Sequence, residues 1–88
     1  MIDYNTFVRL STSDRLKRFT DIARRTEMLD FPPLSVSQVS RILRGICGYS
    51  IHTGAMSLRR IAAAALVEEN WLIDYVTQKA KERQNEKI

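Results

Sequence analysis

The placement of helix breakers constrains this chain more than any other feature. Its two prolines are adjacent, Pro32 and Pro33, and its three glycines all fall between Gly45 and Gly54. Proline inside a helix removes a hydrogen bond and clashes with the preceding turn, and it disfavours helical geometry in the residue before it. The remaining stretches lack breakers and carry apolar residues at helical spacing, whereas alternating β-branched runs are short. The expected fold is therefore all-α: a small four-helix domain with residues 1–80 as one helical unit. Residues 81–88 are polar all round and are expected to fray.

The segments divide as follows. Asp3 is placed to cap a short opening helix over "YNTFVRL". Thr12 or Ser13 caps a second helix running to about Glu27. Its apolar side carries Leu16, Phe19, Ile22 and Ala23, and its polar side Lys17, Arg18, Arg24 and Arg25 with Asp14 and Asp21 among them. Ser35 caps a third helix reaching Gly45 or Cys47. The connector "GYSIHTG" holds Gly48 and Gly54, which tolerate backbone angles that other residues avoid, and it is too short for a β-hairpin wing. Thr53 or Ser57 starts the last and longest helix, with Leu58, Ile61, Ala62, Ala65, Leu66, Leu72, Ile73, Val76 and Ala80 in its apolar stripe. Glu69 interrupts that stripe and would place any break at Glu69–Asn70, but one continuous helix over 57–84 is the preferred reading.

At 88 residues, with 44% apolar and 27% charged residues, the chain is that of a folded protein with one modest core. A core of that size often gains from a second copy. Apolar residues run round nearly the whole last helix, so a homodimer is expected with Ala62, Ala65, Leu66, Ile73 and Val76 near the two-fold axis. No apolar run approaches membrane-spanning length and the start lacks a secretory pattern, so a cytoplasmic protein is expected. The one cysteine, Cys47, reads as a small hydrophobe. The one histidine, His52, has no Cys, Asp or Glu within three residues, and Ser50 beside it has no orienting acid. No phosphate-binding glycine loop is present. These features argue against an enzyme and against a metal or other cofactor.

Charge is more informative than composition. The net charge is +4, but ten of the Lys/Arg residues and five of the Asp/Glu residues lie in residues 1–60. From Phe31 to Val67 there is no carboxylate at all, while Arg41, Arg44, Arg59 and Arg60 fall in that window. A one-sided cationic surface concentrates polyanions and steers their approach. Within the window, "LSVSQVSRILRG" (34–45) is amphipathic. Val36, Val39, Ile42, Leu43 and Ile46 cluster on one side of a helical wheel, and Ser37, Ser40, Arg41 and Arg44 lie opposite, with Gln38 at the edge. Short hydroxyls permit close approach to a phosphate backbone, and arginine forks can hold phosphates or read guanine edges.

This stretch resembles the second helix of the helix-turn-helix in lactose-repressor-family proteins, where a V-S-x-x-T-V-S-R-V-L-N-G pattern recurs. Upstream, "TDIARR" (20–25) resembles that family's first helix, with Ile22 and Ala23 at its core positions. The resemblance covers about twenty residues, and Thr26–Pro33 between the two segments makes an enlarged turn. It implies that Val36, Ser37 and Arg41 face bases and that Ser35, Gln38, Ser40 and Arg44 contact or approach phosphates. Val39, Ile42 and Leu43 would pack inward. The expected function is a small DNA-binding transcriptional regulator of phage, plasmid or bacterial type, reading duplex DNA with helix 35–46. Arg59 and Arg60 would add to its basic surface. The alternative is a helical interaction module, a small inhibitor or adaptor that binds another protein through the same basic face without binding DNA.

Overall fold

The structure, a computed structural model, describes residues 2–29, 33–45 and 54–86. Among them are six α-helices and no strand: α1 (Tyr4–Arg9), α2 (Thr12–Lys17), α3 (Phe19–Met28), α4 (Val36–Leu43), α5 (Gly54–Ala65) and α6 (Glu69–Glu86). The all-α class is as expected, and the two extra elements come from two breaks at positions without proline or glycine. The expectations for Pro32, Ile46, Cys47, Gly48, Ser50, His52 and Thr53 concern residues outside those described.

The first break lies at Arg18. Asp3 caps α1 as anticipated, accepting the Thr6 N–H at 2.8 Å. The cap of α2, however, is Ser11, not Thr12 or Ser13: its Oγ accepts the Asp14 N–H at 3.2 Å and donates to the Asp14 carboxylate at 2.9 Å. Arg18 then adopts ψ +62°, outside the helical range, so the expected second helix is two helices. The Arg18 N–H closes back on the Arg15 carbonyl at 3.1 Å, while its own carbonyl accepts the first α3 bond from Ile22 at 3.0 Å. One residue thus ends one helix and starts the next. Tertiary contact favours the bend. It brings Arg15 to the corner beyond α5, where its guanidinium donates to the Leu66 carbonyl at 3.2 Å, and both Leu16 and Ile22 become fully enclosed.

The second break separates α5 from α6, so the preferred single helix over 57–84 is corrected. Leu66 has φ +57°, the left-handed conformation, and Val67 and Glu68 follow before α6 begins. The Val67 N–H bonds the Ala62 carbonyl at 3.0 Å and the Leu66 N–H bonds Ala63 at 3.4 Å, the paired bonds of a Schellman helix end. That position normally takes glycine, and leucine here gave no warning in the sequence. Glu69, where a break was conceivable, is the first residue of α6. The polar run from residue 81, expected to fray, is helical as far as Glu86; Lys, Glu, Arg and Gln are good helix formers, and Lys79 pairs with Glu82 at 3.6 Å.

The core is built from every helix. Phe7, Leu16, Ile22, Ala23, Leu34, Val39, Leu43, Leu58, Ile61, Ala62, Ala64, Ala65, Leu72 and Val76 form one buried cluster. The α3 helix packs chiefly on α5 and α4, and α6 packs on α5 and α4. Phe7 is covered on one side by the Arg25 guanidinium, 4.0 Å from the ring centroid, so Arg25 is half-buried rather than on a solvated face. Asp21, placed on the polar side from the wheel, is buried. Val36, placed in the aliphatic stripe, is 43% exposed at the edge of a depression beside the α2–α3 bend; Val39 and Leu43 carry the stripe and Ile42 is half-buried. Gly54, expected in the connector, is the first helical residue of α5.

Candidate nucleic-acid interface

How α4 is held decides what its outer face can do. Ser35 and Gln38 form a capping box: the Gln38 N–H donates to Ser35 Oγ at 3.1 Å and the Ser35 N–H donates to Gln38 Oε1 at 2.9 Å. Leu34 and Val39, both buried, occupy the two positions of a hydrophobic staple around that cap. The enlarged turn is drawn shut by Thr26. Its buried hydroxyl donates to the Ala23 carbonyl at 2.6 Å and accepts the Leu34 N–H at 3.0 Å, tying the entry to α4 onto the last turns of α3. At the other end Gly45 takes φ +72°, and a Cβ there would lie 2.7 Å from the Ala80 nitrogen. The end of α4 therefore rests directly on the backbone of α6, a contact that only glycine permits.

So fixed, α4 presents Ser37, Arg41 and Arg44 to solvent, with Ser40 half-buried beside them. Ser35 and Gln38 are exposed too, but each already spends one acceptor on the cap. What they can still offer a ligand is the Ser35 hydroxyl proton and the Gln38 amide protons. No carboxylate lies on α4 or its caps.

The structure adds cations to this face that local sequence patterns could not place. A groove lined by Leu16, Lys17, Phe19, Leu43, Arg44, Tyr75, Lys79, Glu82 and Arg83 runs between the end of α4 and the middle of α6. A second depression, lined by Lys17, Arg18, Phe19, Thr20, Asp21 and Val36, adjoins the start of α4. Both ends of α4 thus lie beside the bend at Arg18. The one trace of this in the sequence is Lys79 and Arg83 at i, i+4 spacing around Ala80, which puts them on one helix face.

Arg59 and Arg60 do not join the group in the same way. Arg59 pairs with Glu69 at 3.5 Å, ten residues and about 15 Å of helix away from Lys79. Arg60 is half-buried with its Nε enclosed and without a hydrogen-bond partner. The residues expected at a dimer axis also separate. Ala62, Ala65 and Val76 are enclosed by the chain's own core, which corrects their assignment to an interface, because a side chain already buried by α3, α4 or α5 has no surface left for a partner. Leu66 is 40% exposed and Ile73 is half-buried. Trp71, also 40% exposed, stacks on Tyr75 with centroids 5.3 Å apart.

A larger cleft of about 520 Å³ lies by α1 and α3, lined by Ile2, Asp3, Tyr4, Asp21, Arg24, Arg25, Glu27 and Met28. Its acids and bases are mixed, whereas α4 itself carries no carboxylate. Among the described residues, no group of three His, Cys, Asp or Glu could hold a metal ion, and no helix is long and apolar enough to cross a membrane. No protein-family model, curated protein or solved structure matches the chain.

Proposed function

We propose that this protein is a small DNA-binding regulator that lays α4 against duplex DNA. The observation that carries the reading is the outer face of α4: exposed, free of carboxylates, and adjoined at its two ends by depressions that carry cations of the α2–α3 bend and of α6. Ser37 and Arg41 point away from the body of the protein and are the base-facing candidates. Arg44, beside Lys17 and Arg83, is a phosphate contact. Positively charged surface around a protruding helix gives sequence-independent affinity, and the few side chains at its crest give preference.

The test is a pair of substitutions. Arg41→Ala should cost roughly 1–3 kcal/mol of specific binding and relax preference at one base position. Arg44→Ala should weaken all sequences alike. Both side chains are exposed, so stability should change by no more than about 0.5 kcal/mol. A doubly substituted protein that is folded and binds duplex DNA as well as the parent would exclude the reading. Selection of bound fragments from random DNA would also reveal symmetry. A recovered palindrome implies a two-fold partner, which would meet this fold at Leu66 and Trp71 and not at the enclosed alanines.

A further inference from the structure

We propose that the groove between the end of α4 and the middle of α6 seats the phosphate backbone of the duplex that α4 faces. Its cations are Lys17, Arg44, Lys79 and Arg83, and Glu82 is a built-in counter-charge that limits its grip. The inference rests on the DNA-binding reading above and assigns to α6 a role that the α4 motif does not contain.

Four cations line the groove against one carboxylate, and that carboxylate is engaged: Glu82 lies 3.6 Å from the Lys79 ammonium. The same ammonium sits 5.5 Å from the centroid of Tyr75, whose ring is stacked on Trp71. Lys79 is therefore held at the rim by a ring on one side and a carboxylate on the other. The floor is apolar, made by Leu16, Phe19, Leu43 and Tyr75, and an apolar floor strengthens the field of the charges above it. Because Gly45 rests on Ala80, Arg44 and Lys79 belong to touching stretches of backbone and keep their spacing.

The groove measures about 310 Å³, at the lower end of small-molecule sites, and it is open to solvent. Four cations along an open trough fit an extended chain of phosphates better than one enclosed anion. The occupant is nucleic acid and not an acidic protein segment because the trough is continuous, through Arg44, with the hydroxyl and guanidinium face of α4. Short hydroxyls suit close contact with phosphate oxygens.

The experiment is the salt dependence of binding to one 20-base-pair duplex, measured for four versions of the full chain. Each phosphate contact contributes a slope of about 0.9 in log affinity against log salt, which is roughly fivefold in affinity at 0.15 M. The combined Lys17→Gln, Lys79→Gln and Arg83→Gln variant should lower the slope by about 2–3 and the affinity by roughly 100-fold. Glu82→Gln should tighten binding by about two- to fivefold, an increase that no folding defect can produce. Arg59→Gln, away from the groove, should leave the slope unchanged. A parent that binds duplex DNA, with an unchanged slope in the triple variant or no tightening in Glu82→Gln, overturns the groove and leaves the α4 reading standing. A parent without affinity for duplex DNA at low salt overturns both. Equal affinity for polyglutamate, lost in the same triple variant, overturns nucleic acid as the occupant.

Discussion

Replacing Thr26 by valine should destabilise the protein although the two side chains have nearly the same shape. Thr26 is fully buried, and its hydroxyl both donates to the Ala23 carbonyl and accepts the Leu34 N–H. Ala23 lies inside α3, where its carbonyl has a helical partner as well, so it loses little. Leu34 is different. Its residue is buried, it stands outside any helix, and its N–H would be left without a partner. An orphaned buried donor costs about 1–3 kcal/mol. For a domain of this size that is a fall in melting temperature of roughly 4–20 °C.

Thr26→Ser provides the comparison, since it keeps both hydrogen bonds and loses one methyl group, worth about 1 kcal/mol. Denaturant unfolding should therefore rank the parent first, serine second and valine third. Hydrogen exchange adds a local readout: the Leu34 amide should be protected in the parent and the serine variant and should exchange fast in the valine variant. A valine variant as stable as the parent, or more stable than the serine variant, would refute the argument. It would mean that packing alone closes the enlarged turn and orients α4.

Three further outcomes follow from the backbone and the caps. Gly45→Ala should cost about 2–4 kcal/mol in denaturant unfolding, because it combines a left-handed conformation with a Cβ driven into the α6 backbone at Ala80. Leu66→Gly should be more stable than Leu66→Ala by about 1 kcal/mol in thermal unfolding, the reverse of the order inside a helix, because Leu66 is at a left-handed helix end. The backbone N–H of Thr6 holds the Asp3 carboxyl below the ordinary aspartate value, with the Thr6 side chain adding to it. A lowered folded value means that this contribution is present above the unfolded value, near pH 4, and is lost as pH falls through the folded one. Asp3→Asn keeps a capping oxygen, so circular dichroism should show its α1 contribution no longer weakening on that acid limb.

What the sequence determines by itself is local. The pattern of breakers and apolar spacing is enough for an all-α chain, because helix formation answers to residues three and four apart. Asp3 and Ser35 announce their caps, since a cap is a contact between neighbours in the chain; the box with Gln38 is of the same kind. The serine and arginine face of α4 is legible for the same reason. The two breaks are not legible, because Arg18 and Leu66 are ordinary helix formers. The left-handed backbone of Leu66 is offset by bonds such as Arg15 to Leu66, made across 51 residues. The placing of Ala62, Ala65 and Val76 at a dimer axis shows a related gap: an apolar stripe reveals that a surface must be covered, and only the packing of α5 on α3 and α6, and of α6 on α4, reveals that this chain covers those three itself. The groove is likewise a product of tertiary structure. Lys17, Arg44 and the Lys79/Arg83 pair stand far apart in sequence, yet they line one groove, and a glycine at position 45 lets the backbones that carry Arg44 and Lys79 touch.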